Sequence, residues 1–165
     1  MASLLASPGP FVRDSWQRLS RLPGGRSLFT WLLGRAVPYS GTIGARVEEL
    51  SPGYAKLTLR DRRKVRNHLN SIHAIALANL GEFTSGLALL AGLPDGSRAI
   101  LLRFNIAFVK KARGRLTATC QCPVPAADFE GEVSVEPQIV DAGGEVVAGA
   151  TAVWSIRPAK AFRAA

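Results

Sequence analysis

The stretch Asn67-His68-Leu69-Asn70-Ser71-Ile72-His73-Ala74-Ile75-Ala76-Leu77-Ala78-Asn79-Leu80-Gly81-Glu82-Phe83-Thr84-Ser85-Gly86-Leu87-Ala88-Leu89-Leu90-Ala91 decides how this chain folds. Apolar residues recur at Ile72, Ile75, Ala76, Leu80, Phe83, Leu87, Leu90 and Ala91, which is helical spacing. Ala74, Leu77, Ala78, Gly86, Ala88 and Leu89 make the other faces apolar too. The pattern predicts a helix buried on nearly every side. Three polar residues interrupt it: His73, Asn79 and Glu82. A carboxylate is costly in such surroundings unless it is paired or used, so Glu82 is the first candidate functional group.

Strand patterns flank this helix. Residues 42–50 alternate through Ile43, Ala45 and Val47, and Ser51-Pro52-Gly53 reads as a turn. Residues 54–63 set Ala55, Leu57 and Leu59 against Lys56, Thr58 and Arg60, a strand with one wet face. After a stop at Gly92-Leu93-Pro94-Asp95-Gly96 come strand signals at 98–111, 115–123, 131–141 and 146–157. Pro137 marks an edge or a bulge, and Asp141-Ala142-Gly143-Gly144-Glu145 a hairpin turn. Upstream, 11–22 and 26–36 read as short amphipathic helices separated by Pro23-Gly24-Gly25. Residues 1–10 read as frayed and 158–165 as a loose tail.

The expected organisation is an N-terminal helical extension, 1–37, packed on a main domain, 38–165. Two strands, one all-round apolar helix and four strands have an economical solution: an α+β fold in which a curled antiparallel sheet wraps the single helix, the hotdog arrangement.

The 165 residues carry 21 Lys and Arg against 12 Asp and Glu, a formal charge of +9. That favours an anionic partner. No aromatic-rich RNA-binding signature or zinc-finger spacing accompanies the charge, so nucleic acid is not expected. Cys120 and Cys122 point to one side of a strand and read as small apolar residues; no metal site is expected. They fit a reducing, cytoplasmic location. Leu4 and Leu5 before Pro8 do not form a signal-peptide core. The apolar helix has the length of a membrane span, but His73, Asn79 and Glu82 favour a protein core. For the N-terminal helices, packing ranks ahead of an acyl-chain cover or membrane contact.

The central segment resembles hotdog thioesterases of the phenylacetyl-CoA type, whose motif runs from Asn through His and a small residue to an acid. Those positions are Asn67, His73, Ala74 and Glu82. The whole of 38–157 looks closer to a subfamily catalogued as a domain of unknown function, through Asn67-His68, Ser71-Ile72-His73-Ala74 and Asn79-Leu80-Gly81-Glu82. Departures from the thioesterase pattern are Ile75 for a second Gly, Asn70 for an earlier Gly, and Glu82 for the commoner Asp. Some relatives place a Ser or Thr on the next strand to assist the water; Ser97 and Asn105 are the nearest candidates here.

The resemblance implies an acyl-CoA thioesterase needing no cofactor. Thioester hydrolysis requires a stabilised oxyanion and an activated water or a carboxylate nucleophile. A helix N-terminus offers free N–H groups, so the Ala74 amide is the expected oxyanion donor. Asn67 would orient carbonyl or water, Glu82 would be base or nucleophile, and His73 is either a site residue or the helix cap. The nine residues from His73 to Glu82 rise about 13–14 Å and turn by about 180°, so one helix cannot bring its own start and Glu82 to one thioester. The expected site is therefore shared across a homodimer, itself able to form a tetramer of dimers, with the long strand after the helix as the pairing edge. Two basic runs, with Arg63, Lys64 and Arg66 in one and Lys110, Lys111 and Arg113 in the other, are candidates to seat the phosphates of coenzyme A. The alternative is a non-catalytic acyl or acyl-CoA binding protein, suggested by Ile75.

Overall fold

The computed structural model describes residues 8–158. Helices α1 (Pro8–Leu19), α2 (Gly25–Ala36) and the short α3 (Pro38–Gly41) lead into strands β1 (Arg46–Ser51) and β2 (Tyr54–Leu59). The long helix α4 (Ala74–Gly92) follows, then β3 (Ser97–Phe108), β4 (Leu116–Gln121), β5 (Gly131–Val135), β6 (Gln138–Val140) and β7 (Val146–Pro158). The expectations for 1–7 and 159–165 lie outside the described residues.

The sheet is antiparallel, in the order β1-β2-β4-β6-β7-β3, with β5 also paired to β7. The period-two patterning sets its inner face. Ala55, Leu57 and Leu59 pair with Cys120, Ala118 and Leu116, and all six are buried. They cover α4, whose Leu80, Leu87, Ala88 and Leu89 are buried too. At two points the helix is held close to the sheet because it has no side chain there. A Cβ on Gly86 would lie 3.2 Å from the Trp154 ring, and one on Gly81 would lie 3.3 Å from Phe104. The result is the hotdog fold: a curled, unclosed sheet around a central helix. Although Ala74–Gly92 is apolar enough to span a membrane, 72% of its most apolar window is buried inside the protein.

Local physics moved several boundaries. Helix α1 begins at Pro8 rather than after residue 10, since a proline in the first turn sacrifices no hydrogen bond. Gly9 and Pro10 are buried there, and a Cβ on Gly9 would lie 2.7 Å from the Leu93 carbonyl oxygen. Helix α3 and the left-handed Gly44 (φ 62°) occupy the start of the stretch read as strand from 42, so β1 begins at Arg46. Pro137 divides 131–141 into β5 and β6. Val12, Trp16, Phe29 and Leu33 of α1 and α2 join the main core, with the Trp16 and Phe29 rings edge to face at 5.1 Å. Ile75, expected on a buried face, is 57% exposed and lines a cleft at the start of α4, although Ala76 and Leu77 beside it are buried.

Candidate active site

The segment before α4 is fastened on both sides. His73 N–H donates to Val65 O and Ile72 N–H to Ala112 O, each at 2.8 Å. Between these anchors Asn67 organises a tight loop. Its Oδ1 accepts from Leu69 N–H (3.0 Å), Ser71 N–H (3.2 Å) and the Ser71 hydroxyl (3.3 Å). The side-chain carbonyl of Asn67 is thus engaged in the loop, and its amide nitrogen donates to no group among the described residues. Asn70, where thioesterases carry Gly, adopts a φ of 54°. Asn tolerates that left-handed conformation better than most residues, so this departure preserves the backbone path.

His73 is the N-cap of α4: its Nδ1 accepts the Ile75 N–H at 3.0 Å. An accepting Nδ1 carries no proton, which places the proton of the neutral ring on Nε2. The N–H groups of Ala76 and Leu77 both reach His73 O, at 2.9 and 3.1 Å. That accounts for three of the four donors in the first turn. The fourth, Ala74 N–H, has no acceptor among the described residues, and the partial positive charge of the helix terminus lies beside it.

Glu82 lies over two turns along α4, about 12 Å from Ala74 along the axis. It is half-buried, and its carboxylate has no ion-pair or hydrogen-bond partner among the described residues. Burial alone raises its pKa above the usual carboxylate value, with no neighbouring cation to offset it. Within one chain, then, vacant donor and desolvated acid stand apart on one helix.

A cleft of about 230 Å³ opens at the start of α4, with His73, Ile75, Asn79, Tyr39, Thr42 and Lys64 among its lining residues. Asn79 donates from Nδ2 to Tyr39 O at 3.2 Å, while its Oδ1 is buried without a partner. Sequence reasoning favoured Asn79 as a packed polar residue; the structure gives it an unused acceptor beside the cleft. Its spacing of three residues from Glu82 was the available signal. Ser97 is buried at the start of β3, and Asn105 is exposed further along it.

The six basic candidates divide. Arg66 is tied to Asp61 (2.6 Å) and to Asn70 Oδ1 (2.9 Å), and holds the Asp61 carboxyl below its ordinary pKa. Lys110 sits between Asp141 (2.7 Å) and Glu145. Arg63, Lys64, Lys111 and Arg113 form no ion pair among the described residues, and Lys64 lines the cleft. No group of three His, Cys, Asp or Glu side chains converges as a metal site among the described residues.

Residues 25–156 match the model of the family described as Domain of unknown function (DUF4442). The chain belongs to the DUF4442 family. Solved structures extend the likeness. A structural-genomics protein, APC5556, is 27% identical with a TM-score of 0.78, over 90% of this chain and 99% of that one. A Pseudomonas aeruginosa protein of unknown function, described as "Probable Thioesterase", is 26% identical with a TM-score of 0.69, over 83% and 97%. A thioesterase family protein from Silicibacter pomeroyi, 19% identical with a TM-score of 0.67 over 90% and 97%, shares the fold. No curated protein matches the sequence. Family and fold together make this chain a hotdog member of thioesterase-like type.

Proposed function

We propose that the protein hydrolyses acyl-CoA thioesters at a site shared between two protomers. The observation that carries this reading is the vacant Ala74 N–H at a helix N-terminus combined with an unpaired, desolvated Glu82 on the same helix. One protomer separates them; a neighbour whose Glu82 faces this Ala74 unites them. Strand β3 supplies the means. It is one of the two edges of the sheet, 12 residues long, with Ile100, Leu102 and Phe108 exposed along it. An edge of that length and character calls for a partner, and antiparallel pairing with a second β3 would join two sheets.

In the reaction, Glu82 of one protomer takes a proton from water as the water oxygen adds to the thioester carbonyl. The Ala74 N–H of the other protomer receives the developing oxyanion; one such donor is worth about 2.7–4 kcal/mol in the transition state. Collapse breaks the carbon–sulfur bond, and the proton on Glu82 passes to the departing thiolate. The products are a carboxylic acid and free coenzyme A. Asn67, through its uncommitted amide nitrogen, orients the carbonyl. Here His73 acts by shaping the helix start. Arg63, Lys64, Lys111 and Arg113 are the basic side chains left to meet the coenzyme phosphates.

A second reading has its own observation. Ile75 stands exposed at the cleft where thioesterases have Gly, which suits a module that binds acyl-CoA without cleaving it. Hydrolysis of a panel of acyl-CoAs by the wild type and by Glu82→Gln separates the two. Turnover lost in the variant supports the hydrolase; binding without turnover in either protein supports the module.

A further inference from the structure

The structure carries a second ligand-sized feature that neither Ala74 nor Glu82 lines. On the outer side of β1, β2 and β4, a groove of about 250 Å³ gathers Arg46, Arg60, Arg62 and Arg115 around Thr58 and Glu48. Glu48 is the one acid lining it, shared between Arg46 (3.6 Å) and the Thr58 hydroxyl (2.8 Å). Arg60, Arg62 and Arg115 have no carboxylate partner among the described residues. Arg62 is held in place: its Nη2 donates to Ile43 O at 2.6 Å. Its guanidinium occupies the space that a side chain on Gly44 would fill, 2.5 Å from where a Cβ would stand. Gathering four guanidinium groups around one carboxylate costs repulsion that a bound anion relieves.

This groove adjoins a larger cavity of about 410 Å³ between α2, α3 and β1, with Gly44 and Arg46 lining both. The larger cavity is mainly apolar, with Trp31, Gly34, Gly41, Ala45 and Phe83 among its lining residues. It falls within the size range of small-molecule pockets.

The geometry points to a binding site for an anionic amphiphile, with its hydrocarbon tail between Trp31 and Phe83 and its carboxylate or phosphate head on the arginine groove. This site lies within one protomer and does not rest on the hydrolase reading.

Calorimetric titration of the full chain with dodecanoate, dodecyl phosphate, dodecanol and inorganic phosphate tests the inference. Both anionic amphiphiles bind, and dodecanol and phosphate alone each bind at least about tenfold more weakly. Preference for dodecanoate assigns the natural ligand to free fatty acids; preference for dodecyl phosphate assigns it to lipid headgroups. The double substitution Arg60→Ala/Arg115→Ala and the single substitution Trp31→Ala each weaken both amphiphiles, by about tenfold for the arginine pair. Glu82→Gln leaves their binding unchanged while abolishing any turnover, which keeps this test separate from that of the hydrolase. Undiminished binding in the arginine variant, equal affinity for dodecanol or for bare phosphate, loss of binding in Glu82→Gln, or no binding at all would overturn the proposal.

Discussion

The imidazole of His73 accepts the N–H of Ile75 at 3.0 Å, and so this histidine is the cap of the central helix, one of the two roles its position in the sequence allows. Because that bond takes the second donor of the turn and His73 O takes the next two, the Ala74 N–H remains vacant. The cap therefore selects which amide of the first turn is left without an acceptor among the described residues.

Replacing His73 with Ala removes the cap and is expected to cost about 0.5–2 kcal/mol of stability. His73→Asn restores most of it, since Asn caps as well or better. Urea denaturation of the three proteins reads this directly. If acyl-CoA turnover follows stability and recovers in the Asn variant, His73 acts by positioning. Turnover lost in both variants would instead show proton transfer by the ring.

Glu82 gives a signed pH dependence. Burial raises its folded-state pKa above the ordinary 4.5, so the native state holds its proton longer than the unfolded chain does. Below 4.5 both states are protonated and the residue brings no penalty. As pH rises from 4.5 through the raised native value, stability falls, and above that value the full penalty remains. Glu82→Gln abolishes this decline. The variant should melt above wild type at pH 7 and level with it in acid. A wild type that gains stability relative to the variant between those limits would mean that a partner charge compensates the carboxylate.

The exposed edge predicts a dimer that charge can break. Ile100→Glu/Leu102→Glu places two carboxylates on β3, which would meet two more across a two-fold axis. Light scattering should show a dimer for wild type and a folded monomer for the variant, with thioester hydrolysis lost alongside. A fully active monomer would show that one protomer owns the whole site.

Cys120 and Cys122 are expected to be inert. Burial pushes their thiols up to about 12 and about 11 respectively, the charge of Cys122 adding to the effect on Cys120. Almost no thiolate exists at pH 8, so iodoacetamide should leave the native protein unlabelled and modify both residues after unfolding. Rapid labelling of the native chain would contradict their burial, Cys120 on the inner face of β4 and Cys122 just past its end.

The hotdog architecture could be read from the chain because its two periods are local. An apolar run without a wet face, ended by Gly92 and Pro94, must be an enclosed helix, and strict alternation in Tyr54–Leu59 must be a half-wet strand. Pro137 announced the break between β5 and β6 for the same reason: it has no N–H to give the ladder. The acid, the small residue and the Asn could likewise be marked as candidates from residue type and spacing.

Tertiary structure decided the division of labour among them. Spacing along the chain cannot say which hydrogen-bond acceptor a side chain will reach. Folding turned His73 into a cap, committed the Asn67 carbonyl to its own loop and left Asn79 Oδ1 unsatisfied beside the cleft. Likewise, adjacent basic residues look equivalent in one dimension. Only the folded chain brings Asp61 to Arg66 and Asp141 to Lys110, while drawing Arg46, Arg60, Arg62 and Arg115 from three separate segments into one groove. Helical and strand periods are properties of neighbours in sequence; charge neutralisation and vacancy are properties of neighbours in space.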